Sequence, residues 1–201
     1  MSIIQDGAGK GNNAKVDGNQ RLRTQSITES EEQHAAELGQ AYNVNTGDVT
    51  LNDATNSALL YFKNDEDQDV IVEAIAVGLR GNGNAFDANE QNTVTLRRND
   101  TAGTIISGAS NADMNQNRNF GSSKALKSTT LAYKGATGNT STGGNDIAQF
   151  YMGGNSRLFA TINFVVPKGS SLSIMVEPNV ATSCTGYAAL VLHVKDANSE
   201  S

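Results

Sequence analysis

A chain of 201 residues with a formal charge of −6, 37 % hydrophobic residues and no Trp is sized for one large domain or a domain with an arm. Its acidity argues against wrapping a phosphate backbone. The single cysteine, Cys184, excludes an intrachain disulfide framework, and no apolar run approaches the ~20 residues of a membrane-crossing helix.

Met1–Gln25 is rich in Gly, Asn, Gln and Lys and has almost no periodic apolar pattern. Such a segment buries too little surface to fold alone, so it reads as an extended arm or a disordered tail. It lacks the basic start and apolar stretch of a signal peptide, and synthesis in the cytoplasm is expected. Thr28-Glu29-Ser30-Glu31 has the capping-box spacing, with Thr28 at the N-cap. Glu29, Glu31 and Glu32 suit the positive end of a helix dipole, Ala35, Ala36 and Leu38 form a narrow apolar side, and Gly39 stops the element. This predicts a helix of about three turns, too short to stand alone. The expected organisation is an arm with a short helix over 1–40 and a β-domain over 41–201.

From Ala41 the apolar period changes to two: Tyr42, Val44 and Thr46 alternate with Asn43 and Asn45. Gly47-Asp48 turns the chain, Val49–Leu51 is extended, and 52–56 turns again. Ser57–Lys63 and Val70–Val77 are apolar runs on either side of Asn-Asp-Glu-Asp-Gln-Asp, which predicts a hairpin ending near Gly81. Thr93–Arg98 predicts a strand, followed by a turn at 99–103. Thr104–Ile106 predicts a second strand, closing a second hairpin. Ser107–Asp146 reads as a long polar loop with a short strand inside Leu126–Tyr133 and an exposed tip at Thr137–Asn145. Leu158, Ala160, Ile162, Phe164 and Val166 share one face of a strand, and Pro167–Ser170 turns. Leu172, Ile174 and Val176 alternate. Tyr187–Val194 is nearly continuous apolar sequence, the pattern of a central strand buried on both faces. About eight short strands predict an all-β fold, a β-sandwich or jelly roll, with a barrel as second choice.

No residue set supports catalysis, a cofactor or a metal, so no site residues are assigned. His34 and His193 lack ligand-like neighbours, and a Cys184–His193 pair is less expected than a buried thiol and an edge imidazole. Asp65-x-Asp67-x-Asp69 opens like a calcium loop, but Val70 stands where the sixth-position glycine is needed, so an acidic turn is the better reading. Gly7–Gly11 lacks both a preceding strand and the hydroxyl of a phosphate loop. Tyr61 and Tyr187 read as core, whereas Tyr133 and Tyr151 lie in or near polar loops with room for an exposed ring; a sugar-stacking platform is the less expected reading of these tyrosines. Arg97, Arg98, Lys124, Lys127 and Lys134 are scattered and read as solvated surface.

The order of features does resemble a family. The polar arm leads into Arg21-Leu22-Arg23 and the acidic helix at Thr28–Leu38. Next come Ala41–Gly47, Ser57–Asn64 and the acidic turn. This run of about eighty residues resembles small virion structural proteins of tailed bacteriophages, in particular head decoration (cement) proteins; the rest is similar only as a β-sandwich. The resemblance implies a non-enzymatic protein on the capsid exterior, bound to the major capsid protein and to copies of itself, commonly as a homotrimer, with no nucleic-acid or membrane partner. The alternative expectation is a receptor- or glycan-binding component of a tail, baseplate or head fibre.

Overall fold

In a computed structural model the described residues are 4–5, 13–14, 30–52, 54–81, 91–108, 110–179 and 183–196. The chain divides into two compact units, Met1–Ser30 and Glu31–Ser201. In the first, strand β1 (Ile4–Gln5) pairs antiparallel with β2 (Asn13–Ala14). The remainder of the predicted arm, with Arg21–Arg23 and Thr28, lies outside the described residues.

The second unit opens with helix α1 (Glu31–Glu37), two turns long. Its end follows from sequence. Gly39 adopts φ +69°, a conformation cheap only for glycine. The N–H of Gly39 then reaches the carbonyl of Ala36, and that of Gln40 reaches Ala35, the paired bonds of a Schellman stop. The helix thus groups with the sandwich, while the boundary expected from sequence fell at residue 41.

After α1 come β3 (Ala41–Asn45), β4 (Val49–Asn52), β5 (Ser57–Lys63), β6 (Val70–Gly81) and β7 (Gln91–Arg98). A helical turn α2 (Thr104–Ser107) precedes β8 (Ser110–Asn111), β9 (Asp113–Asn117) and β10 (Leu131–Lys134). The chain ends with β11 (Asn145–Gly153), β12 (Arg157–Val166), β13 (Ser171–Glu177) and β14 (Ser183–Val194). Two antiparallel sheets result. The first runs β12-β6-β14-β3-β9, with β4 also on β14; the second runs β11-β7-β13-β5-β10-β8. Between them lies one core, including Leu51, Phe62, Ile75, Leu96, Ile174, Leu190 and Leu192. Each such side chain contributes about 1.5–3 kcal/mol when removed from water. The fold is the all-β sandwich expected from the strand pattern.

Four local expectations are corrected. β5 and β6 are strands, but they do not pair: β5 lies between β13 and β10, and β6 between β12 and β14. Residues 64–69 are therefore a corner between sheets. Asn64 is its pivot, fully buried, donating from Nδ2 to the carbonyls of Val166 (2.8 Å) and Gln68 (3.1 Å) and accepting the Glu66 N–H at Oδ1 (2.8 Å). Thr104–Ile106 is helical rather than extended. Ile105 enters a second apolar cluster with Ala58, Tyr61 and Met175 on the outward face of the second sheet, and Thr104 is held by Thr140. A β-prone triplet yields to that tertiary contact.

The long polar loop at 107–146 is the third. It carries β8, β9 and β10, and its supposed exposed tip is docked. The carbonyl of Asn139 accepts the Ala58 N–H (2.7 Å), and Thr137 Oγ1 donates to the carbonyl of Thr50 (2.9 Å). Gly135 is required here, because a Cβ would stand 1.7 Å from the Ala58 carbonyl oxygen. β14 is central in its sheet as expected, but its burial alternates: Cys184, Ala188, Leu190 and Leu192 face the core, whereas Tyr187, Ala189 and Val191 are only half-buried. It is not buried on both faces.

Candidate functional site: one closed side and one open side

The two sides of the sandwich are built differently. On one side the chain itself crosses from sheet to sheet. β8 pairs with β10 of the second sheet, β9 pairs with β3 of the first, and the buried Ala112 between them donates its N–H to Ala132 (2.9 Å). Asn117 Nδ2 donates to the carbonyls of Gly39 (2.9 Å) and Lys124 (3.0 Å), and Asn119 Nδ2 donates to that of Glu37 (3.0 Å). Both asparagines thereby satisfy carbonyls at the C-terminal end of α1, where the helix has no partners of its own.

Arg118, next to them, carries the charge of this closure. Its guanidinium meets Glu73 of β6 (2.9 Å to Oε2) and Glu32 of α1. Glu73 Oε1 lies 2.7 Å from Nδ1 of His193 on β14. Glu73 and His193 are both buried, and His193 Nε2 has no hydrogen-bond partner. Burial alone would raise the Glu73 carboxyl, but the His193 hydrogen bond and the Arg118 charge outweigh it and hold the group below the ordinary glutamate range. The cluster joins α1, β6, β14 and the end of β9.

On the opposite side no strand crosses among the described residues. β11 ends the second sheet, pairing only with β7, and β12 ends the first, pairing only with β6, among the described residues. They are consecutive in sequence, joined through residues 154–156, yet they open apart into different sheets. Their inward apolar side chains, Phe150, Leu158, Ala160, Ile162 and Phe164, pack on the core but remain partly exposed. Outward, Phe159 is 68 % exposed, Val165 56 % and Tyr151 64 %. Natural edge strands are blunted by charge, proline or short length. β12 is ten residues long, holds no proline, and has Arg157 at its start as its one charge. Its blunting device is a bulge between Thr161 and Phe164, where Asn163 takes φ +48°.

The residues singled out from sequence fall as follows. Cys184 and His193 lie on the same strand but nine residues apart, roughly 30 Å at strand rise, so they form no pair. The thiol is buried and pushed up to about 11 by desolvation, an inert state. His34 lies 3.8 Å from Asp196 on the surface. Asp67 is held by Lys127 (2.6 Å) and Lys168 (3.2 Å), whose hydrogen bonds lower its pKa. Among the described residues no group of three or more His, Cys, Asp or Glu could hold a metal. Lys127 is thus engaged rather than free surface charge. Arg97 likewise binds Asp146 (2.6 Å) and the Ser141 carbonyl (2.5 Å). Gly7–Gly11 lies outside the described residues.

Of the tyrosines, Tyr61 is buried, and Tyr133 is stacked on it at 6.0 Å rather than exposed. Tyr151 is exposed, and Tyr187, expected in the core, is only half-buried. Sequence reasoning missed Glu73, Arg118 and the whole of β11. A lone acid inside the apolar run Val70–Val77 was the available signal for Glu73, and the alternation Ile147, Gln149, Tyr151 was the signal for β11.

The fold and these two sides define an all-β sandwich with one laced side and one bearing two strand edges that are unpaired among the described residues. The chain matches no protein-family model and no curated protein.

Proposed function

We propose that the protein is a non-enzymatic virion structural subunit that decorates and stabilises an assembled bacteriophage capsid from outside, bound to the major capsid protein and to copies of itself in a homotrimer. The observation that carries this reading is the open side. Among the described residues two strand edges have backbone N–H and C=O groups without a strand partner, and Phe159, Val165 and Tyr151 expose apolar surface next to them. A strand or flat surface from a neighbour would satisfy both at once, with backbone bonds supplying affinity and the flanking side chains supplying register. Adhesion also suits a subunit whose inward side chains on this flank, Phe150, Leu158, Ile162 and Phe164, are only partly buried. The similarity of the first eighty residues to head decoration proteins supplies the setting.

The test is binding to capsids stripped of decoration. Wild-type protein is expected to co-sediment with them and to raise their heat resistance. A variant carrying Phe159→Asp and Val165→Lys is expected to fold normally and not to bind. Full binding by that variant, or density on the tail alone in electron micrographs, overturns the proposal.

A further inference from the structure

A different feature lies on the outward face of the first sheet, at the end away from α1. Tyr187 of β14, Gly78 of β6 and Arg157 of β12 stand in one cross-strand row. Gly78 has a definite task there: a Cβ would sit 2.0 Å from Tyr187 Cε1 and 2.6 Å from Cζ. The tyrosine ring therefore packs closely against the Gly78 backbone, where a side chain would displace it. Around it is a cleft of about 280 Å³, lined also by Asp48, Arg80, Asn155 and Ser156.

The chemistry of the lining is lopsided. Arg157 has no ion pair and the Tyr187 hydroxyl no hydrogen bond among the described residues. Arg80 lies 3.8 Å from Asp48, with both side chains more than 70 % exposed. Asn155 uses its Oδ1 to accept the Gly81 N–H (2.7 Å), which leaves its amide nitrogen as a donor. In a chain of net charge −6, this cleft has two arginines against one carboxylate. A flat ring offers its face to the C–H side of a sugar, an unpaired guanidinium offers a fork to a carboxylate, and one acid beside an amide suits hydroxyls. A bare phosphate would use the arginines but not the ring, and Asp48 would oppose it. The volume, just under the roughly 300–1,000 Å³ of drug-sized sites, suits one or two sugar units.

We infer that this cleft binds a carboxylated sugar, with the ring of Tyr187 as platform, Arg157 on the carboxylate, and Asp48 and Asn155 on hydroxyls. Attachment to acidic surface glycan is a binding activity beyond capsid decoration, and it is assayed on free protein without capsids. The probes are a uronate disaccharide and sialyllactose, with lactose as neutral control and inorganic sulfate as anion control, titrated by NMR and calorimetry. One or both acidic sugars are expected to bind in the millimolar range, at least tenfold tighter than lactose. The two arms tell a uronate from a sialate ligand. Arg157→Ala is expected to weaken binding at least tenfold at unchanged melting temperature, with Arg157→Lys recovering part of it. Gly78→Ala, which must displace the ring, is expected to abolish sugar binding while sparing any sulfate binding. Equal binding of lactose and the acidic sugars, no binding of either acidic sugar, or full affinity in Arg157→Ala overturns the inference. So does a sulfate affinity matching that of the sugars and unaffected by Gly78→Ala, since it would reveal an anion site only.

Discussion

The closed and open sides of this sandwich face the same physical problem and answer it differently. Both are places where two sheets end and backbone groups lose their strand partners. On the closed side residues 110–117 cross between the sheets, and Asn117, Arg118 and Asn119 attach the crossing to α1 and β6. On the open side the chain turns at 154–156 and leaves β11 and β12 apart. Polar side chains finish the first edge from within the molecule. The second retains apolar, nearly uncharged strands, a surface that a solitary chain has reason to avoid. The contrast teaches that polar side chains and a crossing strand finish one flank, while apolar, nearly uncharged strands border the other.

The comparison breaks most visibly at Arg118. Arg118→Ala leaves Glu73 buried with His193 as its remaining partner and frees α1 from β6. A loss of about 2–4 kcal/mol in urea unfolding is expected, in line with removing one partner of a largely buried ion pair. An unchanged unfolding midpoint would show that the crossing strand, not its charges, closes that side.

Acid should act on the same cluster with a smaller effect. The pKa of Glu73 is depressed in the folded protein, so its contribution is present above the ordinary glutamate range and is lost as pH falls through the lowered value. Thermal melts from pH 7 down to pH 3 should show falling stability, with a shallower fall in Glu73→Gln. Parallel profiles for the two proteins would place the acid sensitivity elsewhere.

The open side should behave in the opposite way. Phe159→Asp with Val165→Lys touches solvent-facing positions and should change folding stability by less than about 0.5 kcal/mol. Sedimentation equilibrium should nevertheless show self-association reduced relative to wild type. A large destabilisation would mean that this edge is already covered within the single chain. Smallest of all, Lys168→Ala removes one of two cations from the exposed Asp67 and should leave the melting curve unchanged within error.

Much of this fold was legible along the chain, and the failures have a common cause. The alternation of Leu158 to Val166 and of Leu172 to Val176, the Gly39 helix stop and the Pro167–Ser170 turn all appear where the residues place them. What could not be read was partnership. A six-residue polar connection between two apolar runs serves a hairpin or a corner between sheets equally well, and only the burial of Asn64 under Val166 separates the two. Thr104–Ile106 looked extended because β-branched residues favour strands, and Ile105 became helical through the pocket that receives it. The polar stretch 107–146 read as a loop with a single short strand because β8, β9 and β10 are short and carry little apolar periodicity.

Sequence by itself determined the all-β class, the places of most strands and the termination of the helix, because backbone preference and apolar period act within a few residues. Tertiary structure alone decided which strands pair, where the chain changes sheets, that Tyr187 packs against Gly78 and that, among the described residues, one flank is laced and the other is not. Those choices depend on how much surface the whole chain buries and on which polar groups find partners far along it, quantities that no local stretch contains.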